Sequence, residues 1–176
     1  MFVFVDETGS NLKDMIRLYG YSFSGERAIS HRLQVRGKRV SSIAGICCDG
    51  VLAVHNTTGS VNGDIFFDFI RGDLVPQMLP FDGNNPRSII IMDNCTIHHV
   101  HQVTDFIEDM GILVFFLPPY SPDKNPIEST FSYIKQSLKD HEDIMQYVTI
   151  EQILESAFES VSPILCKSWI THCGYE

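Results

Sequence analysis

The sequence predicts an α/β fold built on a mixed sheet, antiparallel in its first strands and parallel later, with helices on its faces. Two observations carry this reading. The early β-rich runs form a meander, whereas the later ones, "SIIIMDN" and "ILVFFLPP", alternate with stretches of helical periodicity. Those later runs are also continuously apolar, as expected of strands covered on both faces. The 176 residues, 44% of them hydrophobic, suffice for one domain with a core of ordinary size. No repeat, low-complexity tract or interior linker divides residues 1–176.

"MFVFVDE" is a short run of β-formers, expected to be a strand that ends at its acids. In "SNLKDMIRLYGYSFSGERA", Gly20, Gly25 and several polar residues predict turns and irregular chain. "KRVSSIAGICCDGVLAVHNTTG" reads as a hairpin, two β-rich runs separated by the favoured turn pair Asp49-Gly50. After Asn62-Gly63, Ile65, Phe66, Phe69, Ile70 and Leu74 recur near helical spacing, with Pro76 ending or kinking the helix. "SIIIMDN" is then a central strand. "HHVHQVTDFIEDMG" is a helix with Val103, Phe106, Ile107 and Met110 on one side, closed by Gly111. "ILVFFLPP" is expected to be another buried strand. In "PIESTFSYIKQSLKDH", Ile127, Phe131, Ile134 and Leu138 make one helical face, and Thr149 with Gln152 forms a capping-box pattern before "ILESAFESV".

Bulk properties narrow the function. No apolar run approaches the roughly 20 residues that span a bilayer, so no membrane role is expected. The first ten residues lack both a basic region and a long apolar stretch, unlike a signal peptide, and read as a strand cut close to its beginning. The expectation is therefore one domain of a longer protein. Five cysteines, two of them adjacent at Cys47 and Cys48, fit a reducing intracellular compartment. Cys95 and His98 have zinc-ligand spacing, but the other Cys/His pair, His172 and Cys173, is adjacent and unsuited to a finger. The net charge of −9 is concentrated in the acidic stretch 140–176, leaving the main body near −3. Arg27, Arg32, Arg36, Lys38 and Arg39 make a basic segment without an acid, which suits either nucleic-acid contact or a solvated hairpin edge.

Three acids stand where elements begin or end. Asp6 follows the first strand, Asp93 follows "SIIIM", and Glu128 opens the helix behind a loop with Pro118, Pro119, Pro122 and Pro126. Ionised acids are costly to bury unless paired or bound to a cation, and strand ends in a parallel region face the crevice where ligands bind. Carboxylates converging there suit Mg²⁺, which needs few of them and keeps open positions. Each acid also has an ordinary reading. Asp6 can begin a turn, and Asp93-Asn94 can cap a helix. Asn125 can be an N-cap, with Pro126 the first helical residue and Glu128 reaching back to the cap.

"FVDETG", "IIMDNCTIHH" and "LPPYSPDKNPIE" together resemble the catalytic domain of mariner-type transposases and their insertion-sequence relatives, DDE-superfamily endonucleases of ribonuclease H-like fold. Between Asp93 and Glu128 lie 34 residues, a separation typical of that family. The resemblance implies a catalytic and metal-binding triad of Asp6, Asp93 and Glu128. It implies two Mg²⁺ or Mn²⁺ ions, and phosphodiester hydrolysis followed by strand transfer on DNA at transposon ends and at TA-containing targets. It also implies a dimer in the intact enzyme, acting in the nucleus of a eukaryotic host and otherwise in the cytoplasm. Asn94 and His98, which match the family's second motif, and Asn125 are candidate supporting residues, and Arg36, Lys38 and Arg39 of the basic segment are candidate DNA contacts. Asn94 and His98 would orient water or touch phosphate, as against capping and packing. Glu7 reads as structural, His99 and His101 as surface groups, and Tyr120, Ser121 and Asn125 as shaping the loop. The family's N-terminal helix-turn-helix region is not recognisable in these residues, and Lys124 replaces a usual apolar residue. Two alternatives stand beside the enzyme: a domesticated or truncated copy acting as a DNA- or protein-binding module, and another ribonuclease H-like nuclease such as an integrase or resolvase.

Overall fold

A computed structural model describes residues 1–11, 21–29, 39–140 and 147–175. Arg32, Arg36 and Lys38 lie outside the described residues. A five-stranded sheet, ordered β3-β2-β1-β4-β5, forms the centre. Its strands are β1 (Phe2–Ser10), β2 (Val40–Cys47), β3 (Gly50–Thr58), β4 (Ile89–Met92) and β5 (Leu113–Phe116). β1 pairs antiparallel with β2 and β2 with β3, whereas β1–β4 and β4–β5 are parallel. The expected mixed sheet is thus present, antiparallel first and parallel later.

Alternation of side chains along the strands divides the core in two. Phe4, Ala44 and Ile91 face one layer, made of α3 (Ile127–Asp140), α4 (Ile150–Glu159) and α5 (Pro163–His172). Val3, Val5, Ile43 and Ile90 face the other, made of α1 (Gly63–Phe69) and α2 (His101–Asp109). Coverage on both faces explains why β4 is apolar at every position.

Most predicted helices lie where their periodicity places them. Ile127, Phe131, Ile134 and Leu138 are all buried along α3. The Thr149 hydroxyl accepts from the Gln152 amide and the Gln152 side chain accepts from the Thr149 amide, the reciprocal cap expected before α4. Gly111 closes α2 at φ +75°, a conformation disfavoured for residues with a Cβ. Past Phe69, α1 widens into a π turn over Ile70–Leu74 and ends in a 3-10 turn containing Pro76.

Three expectations are corrected, and one helix was not foreseen. β1 does not stop at its acids: antiparallel pairing with β2 carries it on to Ser10, opposite Val40. The hairpin turn is Cys48-Asp49, and Gly50, at φ +120°, already pairs with Cys47. β5 is not buried, because it is the sheet's outer strand and Phe115 is 55% exposed. Finally, α5 has no counterpart in the sequence reading. Its buried Cys166 and Ile170 are interspersed with exposed residues such as Ile164, so no clean apolar stripe announces it.

Tyr175 braces the layer that holds α3, α4 and α5. The Tyr175 ring packs edge-on against Phe4 at 4.8 Å, and its hydroxyl donates to the Lys124 carbonyl at 3.0 Å. A residue near the end of the chain thereby holds the loop that leads into α3. Phe131 anchors α3 itself and is 2% exposed. Truncating it to alanine removes a whole ring from a close-packed layer, so Phe131→Ala should lower unfolding free energy by about 3–5 kcal/mol in denaturant titrations. A loss below about 1 kcal/mol would show that α3 is not held by this layer.

Candidate active site

The parallel ladder of β1 and β4 pairs Phe2 with Ile89 and ends at Val5 with Met92. Asp6 and Asp93 are the next residue on each strand, so equal register sets them side by side just past the last paired position. Glu128 comes to them from the first turn of α3. All three line one open cleft of about 530 Å³, together with Asn94, Asn125 and the proline loop 118–122. The structure therefore gathers the sequence-predicted acids from three separate elements. Their environments differ: Asp6 is 7% exposed, whereas the Asp93 side chain is 46% exposed and Glu128 is exposed.

The loop that delivers Glu128 is fixed along its length. The Leu117 amide donates to the Met92 carbonyl at 2.8 Å, extending the ladder to the threshold of Asp93. Pro118, Pro119 and Pro122 restrict the backbone, and Tyr120 takes a left-handed φ of 56° between them. A 3-10 turn at Pro122–Lys124 follows, and the Glu128 amide donates to the Asn125 carbonyl at 3.2 Å. The Asn125 side chain does not cap the helix, so that ordinary reading of it fails. Buried at 3% exposure, it donates from Nδ2 to Asp6 Oδ2 at 2.8 Å, which links α3 directly to β1. Its Oδ1 is buried and has no hydrogen-bond partner among the described residues, an unsatisfied acceptor inside an acid-rich site.

Behind the cleft sits His98. It is fully buried, its Nε2 lies 2.9 Å from Glu7 Oε2, and its Nδ1 lies 2.8 Å from Asp93 Oδ1. The ring centroid is 4.5 Å from that of Phe66 on α1. Burial keeps this histidine away from water and phosphate, correcting that part of the expectation. Glu7 does point to the face opposite Asp6, as alternation requires, but there it meets His98. Sequence reasoning missed this contact because 91 positions separate the partners. Asn94 lines the cleft with its Oδ1 hydrogen-bonded to His99 Nε2, while the His99 ring stacks on Phe116 at 4.1 Å. Arg39 is exposed beside Gly9, on the Glu7 side of β1, where a Cβ would collide with its guanidinium. The His101 side chain lies outside the described residues.

These contacts shift two ionisations. Burial, reinforced by the charges of Glu7 and Asp93, pushes Asp6 from 3.8 up to about 7, against the hydrogen bond from the Glu7 amide and the attraction of His98. Burial opposes charging of His98, but the Glu7 hydrogen bond and the charges of Glu7 and Asp93 outweigh it, raising its pKa above 6.5. Only the imidazolium donates from both nitrogens at once, to the Glu7 carboxylate and to the Asp93 carbonyl. Both shifts make the folded protein bind protons more tightly than the unfolded chain, so both contributions to stability are lost as pH rises. The Asp6 contribution is complete below 3.8 and gone above about 7, while that of His98 is complete below 6.5 and fades through its higher folded value. Melting of the protein in a chelator should therefore shift to lower temperature between about pH 5 and pH 8. Asp6→Asn should flatten the acidic part of that decline. A melting temperature that rises over the same range would refute the assignment.

Residues 1–151 match the sequence profile of the DDE superfamily endonucleases. No sequence among the curated proteins compared with the chain matches it. Solved structures do. The Mos1 transposase paired-end complex with left transposon end superposes with a TM-score of 0.76 at 21% identity, covering 97% of this chain and 51% of that one. The Mos1 mariner paired-end complex with Mn gives 0.71 at 20% identity, again covering 97% and 51%. The catalytic domain of Mos1 mariner transposase gives 0.64 at 17% identity, covering 97% and 75%. The chain thus spans about half the length of the paired-end proteins, and at these identities the likeness concerns the ribonuclease H-like fold. With most of its length inside the family profile and its acids grouped in one cleft, this chain belongs to the DDE superfamily of endonucleases.

Proposed function

We propose that residues 1–176 are the catalytic domain of a cut-and-paste DNA transposase, a metal-dependent endonuclease that cleaves element ends and transfers the freed strand to target DNA. The observation that carries this reading is the convergence of Asp6, Asp93 and Glu128 on one open cleft. The donor set fits Mg²⁺ or Mn²⁺: it is all oxygen, partly open to solvent, and contains a carboxyl whose elevated pKa reflects burial among like charges. The orphaned Asn125 Oδ1 adds a neutral oxygen at the same place.

When bound, two such ions supply a water acidic enough to attack phosphorus and positive charge for the leaving 3′ oxygen. Asp6, Asp93 and Glu128 are the residues that would hold them. Asn125 orients Asp6 through its 2.8 Å hydrogen bond, and the Cys95 amide orients Asp93 through a bond of 2.9 Å to Oδ1. Each aspartate is thereby held before substrate arrives, which lowers the cost of ordering the site. The stiff loop plays the same part for Glu128. The exposed Pro118, Pro119 and Tyr120 leave one side of the cleft open to a DNA backbone.

DNA is the proposed partner, as both transposon ends and a TA-containing target, whose pyrimidine–purine step deforms easily. The fold and the paired-end and manganese complexes of Mos1 lend support to this reading. With a formal charge of −9, general electrostatic attraction contributes little, and Arg39 with the basic segment ending at it is the proposed phosphate contact. Joining two ends calls for a dimer in the intact enzyme, working in the nucleus of a eukaryotic host or otherwise in the cytoplasm.

The test is nicking of a duplex carrying the inverted repeats that flank the coding sequence, using the full-length protein in Mg²⁺ or Mn²⁺. Cleavage is expected with the wild type. Asp93→Asn should lower it by more than about 100-fold, since losing a ligand exceeds the 10–100-fold cost of losing an outer-shell partner. No cleavage in either metal, or cleavage undiminished in Asp93→Asn, would defeat the enzyme.

A further inference from the structure

Pairing of β1 with β4 ends at Val5 and Met92, so no ladder bond between these strands spaces Asp6 from Asp93. His98 occupies the position behind that gap. One ring nitrogen reaches Glu7, the neighbour of Asp6 on β1, at 2.9 Å, and the other reaches Asp93 Oδ1 at 2.8 Å. We propose that His98 and Glu7 are positioning residues, a buried strap that takes over from the sheet and sets the separation and orientation of the two cleft aspartates. This rests on the reading of Asp6 and Asp93 as metal-holding groups.

The geometry supports a strap rather than a packing accident. Successive residues of a strand face opposite ways, so a Glu7 side chain held from behind fixes the peptide that presents Asp6 in front. At Asp93, Oδ1 accepts from the Cys95 amide at 2.9 Å and lies 2.8 Å from His98 Nδ1, while that nitrogen also hydrogen-bonds the Asp93 carbonyl at 3.3 Å, so His98 holds the backbone that presents the carboxylate as well as facing it. The imidazole is itself immobilised by complete burial and by its contact with the Phe66 ring. Asn125 supplies the matching restraint on the cleft side, holding Asp6 Oδ2. Asp6 is therefore restrained from both faces of the sheet. His98 touches neither solvent nor the cleft, so any influence it has on chemistry passes through Glu7 and Asp93.

Two variants test this. His98→Phe keeps a ring against Phe66 and removes both nitrogens, and Glu7→Gln keeps the side-chain length at a partly exposed position while removing its charge. Mn²⁺ binding is measured by electron paramagnetic resonance on the folded full-length protein, and nicking is titrated with Mn²⁺. A strap predicts Mn²⁺ affinity weaker by about 10–100-fold in His98→Phe and a smaller loss in the same direction in Glu7→Gln. It also predicts a nicking rate that returns to within a few-fold of wild type at saturating Mn²⁺. Should His98→Phe fail to fold, Glu7→Gln decides alone. Unchanged Mn²⁺ affinity in the folded variants, or a rate that stays low at saturating Mn²⁺, would overturn the proposal. A wild type that neither binds Mn²⁺ nor nicks would instead defeat the proposed function itself.

Discussion

Equal register between two parallel strands places Asp6 next to Asp93, and nearly every other feature of the site is arranged around that adjacency. β1 and β4 are far apart in sequence and become neighbours only inside the sheet. Their shared ladder must stay in step, because a slip of one residue would turn every side chain to the wrong face. The buried residues that alternate along β1, Val3 and Val5 toward one layer and Phe4 toward the other, resist such a slip on both faces. The core thus does more than stabilise the domain: it determines which two acids meet.

The meeting has an electrostatic cost. Asp6 is nearly buried beside two other acids, and lost hydration, together with their repulsion, pushes its pKa up to about 7. Elements all around the site offset this. An amide from Asn125, a backbone N–H from Glu7 and the imidazole of His98 each aim positive or donor character at the cluster. A site that tolerates such crowding suits a cation, and a cation suits chemistry at phosphate.

Much of this was legible along the chain. The continuous apolar run of β4 told of a strand covered on both faces, and the four apolar positions of α3 told which side of that helix is buried. The acids stood out because charge at the limits of apolar elements is expensive without a reason. Other features gave no such signal. Nothing along the chain links Glu7 with His98 until β1 and the turn that follows β4 are side by side. Tyr175 looks like any residue near a chain end, yet it supports the loop before Glu128. β5 reads as buried, but an outer strand carries the same apolar composition as an inner one when only one neighbour covers it.

The sequence by itself determined much of the local order: the five strand segments, the helices other than α5, how the proline loop stiffens, and which acids are misplaced for a core. These depend on periodicity and backbone restriction, both properties of neighbouring residues. Only the tertiary structure decided the partners: Asp6 with Asn125, Glu7 with His98, and the first half of β1 with β4. Such pairings arise from the packing of distant elements, and no local pattern encodes a distance across the fold.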